Sequence, residues 1–234
     1  MDHDFSEIFA RYEALRAQTD SAFLRVSEAH PDCVACKSGC ADCCHALFDL
    51  SFIEALYINS KFNSELDESS KGKILERADQ ADRKIALIKK EAYQAVKKGR
   101  EADEVLSRVA WERVRCPLLG DDDRCALYEH RPITCRLYGI PTSIGGKAHT
   151  CGMSGFAEGT PYPTANLDAV HGRLLELSTE IVKTLPTKYI GLTDMLVPLS
   201  MALLTIYNDE YLGIRKPAPE NGEPQKAGDT GKGD

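Results

Sequence analysis

No stretch of this chain is apolar for long enough to cross a membrane. A spanning helix needs about 20 consecutive apolar residues. The longest apolar run, Met195 to Tyr207, is shorter and contains Pro198, Ser200 and Thr205, so it reads as a buried helix. The N-terminal Met1-Asp2-His3-Asp4-Phe5 is acidic and lacks an apolar segment, which argues against a secretory signal. Excess positive charge is missing too. A net charge of −7 and a pI near 5.5 argue against broad phosphate neutralisation, and so against nucleic acid as a partner. There is no P-loop, no GxGxxG after a strand, no HExxH and no GxSxG. Strand-like alternation is scarce and no internal repeat is visible. A cytoplasmic protein with no membrane partner is expected.

What the chain does have is cysteine. Its 234 residues are 43% hydrophobic and 28% charged, enough for a core without covalent staples. Yet it carries nine cysteines, an odd count that cannot pair fully within one chain. In a reducing compartment such thiols call for another explanation. Single cysteines often pack as small hydrophobes. Here, however, Cys33, Cys36, Cys40, Cys43 and Cys44 fall within twelve residues of small and polar sequence, unlike core positions. Metal ligation is the better reading.

The rest of the pattern is mostly α: helices around irregular cysteine-rich metal-binding loops, with few or no strands. Phe5, Ile8, Phe9, Tyr12, Leu15, Ala22, Phe23 and Val26 predict a helix over 4–29, ended by His30-Pro31. Ser51 and Glu54 stand at capping-box spacing before a helix to about Lys61. Ile74, Ala78, Ala81, Ile85, Ile88, Ala92 and Ala95 form one stripe of a long charged helix over 69–98, closed by Gly99. A short helix over 102–113 follows. Periodicity then disappears from Cys116 to about Pro163, where only Arg136 to Ile144 reads as a short strand. Two more helices are expected, over 166–184 and 192–208, with Asn166 and Thr193 as N-caps. Residues 1–215 are expected to form a single helical domain with its metal-binding core at about 33–151. The polar Pro-, Gly- and Lys-rich stretch 216–234 reads as a disordered tail.

The candidate metal ligands are Cys33, Cys36, Cys40, Cys43, Cys44, Cys116, Cys125, Cys135 and Cys151. Cysteines two residues apart can place both sulfurs on one ion while leaving backbone N–H groups to bond the thiolates. The adjacent Cys43 and Cys44 point in different directions, so they serve two sites, or one packs while the other ligates. The five early cysteines exceed the four that one tetrahedral zinc takes. Cys116, Cys125, Cys135 and Cys151 are too widely spaced for a single knuckle and fit a chain that returns repeatedly to a centre shared with the first cluster. His45, His130 and His149 lie near cysteines, with His45 the first choice among them. Arg124, Arg131 and Arg136 flank ligands and could offset thiolate charge. Asp121-Asp122-Asp123 reads as a solvated loop tip, because three consecutive aspartates cannot all face one ion.

The run Cys36-x3-Cys40-x2-Cys43-Cys44, then Cys116-Pro117-Leu118, then Cys125-x2-Tyr128-Glu129-x-Arg131-Pro132-x2-Cys135-Arg136 resembles the YkgJ-like cysteine-cluster family. That family is described as chelating zinc or iron. The resemblance covers roughly residues 33–151, and the stretch from Tyr128 to Arg136 is its most specific part. The family's usual first motif has two residues between its first and second cysteines. Here three separate Cys36 from Cys40, and Cys33 precedes them. The flagellin lysine methylases are similar in this cysteine pattern, which keeps an enzymatic role open.

Both zinc and iron–sulfur clusters accept four thiolates. Widely spaced single cysteines fit paired zinc knuckles poorly, and Cys116-Pro117 echoes a Cys-Pro seen in cluster motifs. An iron–sulfur cluster is slightly favoured over Zn. The function expected is metal binding with redox or modifying activity, the alternative being a structural zinc-chelating module that presents a surface to a protein partner.

Overall fold

The computed structural model describes residues 3–37 and 39–215, so the tail expected from 216 lies outside the described residues. Among the described residues there are eight α-helices, and the five strands are only two or three residues long. None of the helices is long and apolar enough to cross a membrane.

The fold is organised around α2, Phe52–Glu65. The expected capping box is present: Ser51 N donates to Glu54 Oε2 at 3.2 Å, and the Ser51 hydroxyl contacts the same carboxylate at 2.9 Å. Phe52, Ile53, Ala55, Leu56, Tyr57, Ile58 and Phe62 are all buried, so apolar side chains cover nearly the whole circumference of this helix. Burial on that scale stabilises by roughly 1.5–3 kcal/mol per large side chain. Against it pack α1, Ser6–Ala29, and α6, Leu167–Thr184, the latter capped by Asn166 as expected. The helix α3, Glu68–Lys97, is amphipathic: Ile74, Ala78, Ala81 and Ile85 are buried, while its distal half meets α4, Ala102–Ala110.

Two expectations are corrected. The segment 192–208 is not one helix. A 3-10 turn at Ile190–Leu192 leads through Thr193, which closes that turn instead of starting a helix, into β5, Leu196–Pro198. That strand runs antiparallel to β1, Asp49–Ser51, with Leu50 opposite Val197. Pro198 lacks an N–H and holds Val197 extended, so the helix α7 begins only at Leu199 and stops at Leu204. Asn59 fixes this end, its Nδ2 donating to Ala202 O at 2.9 Å and Thr205 O at 3.0 Å. A last short helix, α8, spans Asp209–Leu212.

The second correction concerns 136–144. Arg136 and Leu137 belong to the five-residue helix α5, Ile133–Leu137, and the strand β2 covers only Thr142–Ile144. It forms a hairpin with β3, Lys147–His149, and pairs in parallel with β4, Ala165–Asn166.

Candidate metal centre

All nine cysteines are free thiols. Cys43 and Cys44 share a 3-10 turn, Asp42–His45. The segment from Arg113 to Cys116 runs beside it: Ala46 pairs with Arg113, Val114 N donates to His45 O at 3.0 Å, and Cys116 N donates to Cys44 O at 2.7 Å. Backbone pairing therefore sets Cys116 against Cys44. The chain then doubles back: Leu119 pairs with Cys125, Gly120 N donates to Arg124 O at 2.8 Å, and Ala126 N to Leu118 O at 2.8 Å. This returns Cys125 towards Cys116. The three aspartates form the tip, with Asp123 at φ 57° and Asp122 Oδ1 accepting Arg124 N at 3.2 Å, a turn as expected.

Cys135 arrives on α5. The buried Glu54 anchors this helix, because its Oε1 accepts Ile133 N at 3.1 Å, one of the orphan donors at a helix start. Arg136, next to Cys135, is held by both oxygens of Asp20, at 2.8 and 2.6 Å, and donates to the Arg131 and Glu129 carbonyls. Arg16 reaches the same Glu129 carbonyl from α1 and also donates to Tyr57 Oη. Neither Asp20 nor Arg16 was legible as a support of this loop.

The thiols fall into two groups. Cys43, Cys44, Cys116, Cys125 and Cys135 border one pocket of about 50 Å³. Four of them, all but Cys116, also border a larger cavity of about 540 Å³, together with Cys36, Cys40 and Cys151. Cys33 borders neither; it lies in the turn after α1, where its carbonyl accepts Gly155 N at 2.8 Å.

Electrostatics tie the inner group together. Contact with the Cys135 thiol, then with Cys44, holds Cys43 below the ordinary thiol range, and Arg131 adds to this. Contact with Cys43, then burial, pushes both Cys44 and Cys135 up. Burial raises Cys116 to about 12, with Cys125 adding to it. Burial also raises Cys125, an effect Arg131 opposes. The chemistry of these donors fits a soft cation. They are thiols whose charged forms repel one another in a partly buried space, and only a positive centre would relieve them together. Among the described residues, no three Cys, His, Asp or Glu side chains stand at ion-holding geometry. Ligation thus requires the thiols to draw inward from these positions.

Of the three arginines, Arg131 alone borders both spaces. Its guanidinium lies 3.7 Å from the Tyr128 ring centroid, its Nε donates to Tyr128 O at 3.0 Å, and its charge favours thiolate at Cys43 and Cys125. Arg124 also borders the large cavity. No histidine borders either space. His45 Nδ1 is 3.1 Å from Ala41 O, His130 bridges Tyr57 Oη and Glu65, and His149 is exposed on β3. Asp42, which drew no notice in the sequence, lies 3.5 Å from the Cys151 sulfur through Oδ2 and pairs with Arg113 through Oδ1.

A helical frame that gathers free thiols from distant loops around shared spaces has the donor set of a metal-binding protein. Residues 35–152, half of the chain, match the CxxCxxCC family model, described as "Putative zinc- or iron-chelating domain", and the chain belongs to that family. No curated protein and no solved structure matches it.

Proposed function

We propose that four of the five thiols Cys43, Cys44, Cys116, Cys125 and Cys135 hold an iron–sulfur cluster, in preference to zinc, and that this centre acts on a ligand admitted by the adjoining cavity. The observation that carries this reading is the shared wall. Four of these five thiols line both the small pocket and the cavity of about 540 Å³. A closed structural site has no need of such an opening, whereas a working centre keeps one side accessible. When bound, a cluster would supply electron transfer or Lewis acidity. The chain's own residues would then orient a ligand, with Arg131 offering a cation over the Tyr128 ring. Thiols in this number call for a reducing compartment, which supports the cytoplasm as location.

The second reading, a structural zinc module, draws on the half-buried positions of Cys116 and Cys135. Iron, zinc and acid-labile sulfide content, measured on protein purified without oxygen, separates the two. Iron with matching sulfide is the expected result. Zinc without sulfide would establish the structural module, and folded protein with neither would remove both readings.

A further inference from the structure

The cavity of about 540 Å³ lies within the range of roughly 300–1,000 Å³ that small-molecule sites occupy. Its charged lining is lopsided. Lys37, Arg124, Arg131 and Arg136 border it, against the acidic residues Asp20 and Asp123. Arg136 already binds both oxygens of Asp20. Among the described residues, Lys37, Arg124 and Arg131 take part in no ion pair. Cations therefore gather on this wall of a chain whose net charge is −7. They repel one another there, and an anion would relieve them together.

Arg131 is held in place with its fork free. Its Nε donates to Tyr128 O at 3.0 Å and its guanidinium stacks 3.7 Å from the Tyr128 ring centroid. Its two terminal nitrogens have no hydrogen-bond partner among the described residues, and such a fork matches a carboxylate or phosphate with two parallel bonds. Arg131 also borders the small thiol pocket and can answer thiolate charge there, whereas Lys37 and Arg124 border the large cavity alone. Arg124 is tied through its backbone, its N–H to Asp122 Oδ1 and its carbonyl to Gly120 N, which leaves its side chain free. Phe23 and Tyr138 supply aromatic surface to the same space.

We infer that this cavity binds a small organic anion, with Arg131 and Arg124 gripping its carboxylate or phosphate and Phe23 and Tyr138 against its apolar body. Such a ligand would be the one on which the neighbouring centre acts, so its fate rests on the cluster reading, whereas its binding does not.

The test is isothermal titration of the full chain, purified without oxygen and at low salt, with benzoate, phenyl phosphate and inorganic phosphate, and with iron and sulfide counted on each sample. Benzoate or phenyl phosphate is expected to bind once per chain, about tenfold more tightly than inorganic phosphate. The tighter of the two tells carboxylate from phosphate. Arg131→Gln and Arg124→Gln should each weaken that probe about tenfold. Lys90→Gln, which removes the same charge from an exposed position on α3, should leave it unchanged. Arg124→Gln is the safer of the two cavity variants, because its side chain supports no backbone group. Neither aromatic anion binding more tightly than inorganic phosphate would overturn the site. So would an equal loss in Lys90→Gln, or full affinity in both arginine variants, which would put the anion on the metal alone. Anion binding to a chain without iron and sulfide would keep this site and remove the cluster; a cluster without anion binding would do the reverse.

Discussion

Glu54 Oε1 accepts the Ile133 N–H at 3.1 Å, joining the first turn of α2 to the first residue of α5 across 79 positions. The same carboxylate closes the Ser51 capping box through its other oxygen. One buried side chain thus starts the central helix and sets the helix that carries Cys135. Replacing Glu54 by Ala leaves buried donors without partners and is expected to cost about 2–4 kcal/mol in urea unfolding, with loss of metal from the inner centre. Wild-type stability in the variant would mean that neighbouring packing alone holds α5.

The pH behaviour of Glu54 is a separate expectation. Burial raises its pKa above the ordinary carboxylate value, against the hydrogen bonds from Ile133 and Ser51 that lower it. A raised carboxyl binds its proton more tightly in the folded chain, so it favours folding in acid and loses that contribution as pH rises through the raised value. Glu54→Gln has no such proton. The stability of the wild-type chain relative to this variant should therefore improve as pH falls from neutral into the carboxylate range, and a pH-independent difference would refute the assignment.

Arg136 is the second fixed point of the ligand loop. Its side chain is only 6% exposed, and it binds Asp20 with both oxygens as well as two backbone carbonyls. Lysine keeps the charge but cannot reproduce this fork. Because Asp20 is 44% exposed, solvent screens part of the pair. Arg136→Lys is expected to cost about 2–3 kcal/mol, read from the denaturant midpoint, since the backbone carbonyls also lose their donors.

Serine at Cys43, Cys125 or Cys135 should release inner metal and unfold the loop region, because a hydroxyl does not replace a thiolate on a soft ion. His45→Ala should leave metal content unchanged, its Nδ1 being engaged near the Ala41 carbonyl. Full stoichiometry in all three serine variants would overturn the ligand set.

The candidate thiol cluster and several helix starts were legible because they are local. The Ser51–Glu54 box, the Asn166 cap and the dense run from Cys33 to Cys44 each lie within a short stretch of chain. What was not legible depends on distant pairings. The division of the thiols follows from Cys116 N reaching Cys44 O and from Gly155 N reaching Cys33 O. The roles of Asp20 and Asp42 depend on Arg136 and Cys151, each more than a hundred positions away. The helix expected over 192–208 failed for a similar reason. An apolar run there matches burial in either state, and pairing with β1 together with Pro198 decides for a strand before a short helix.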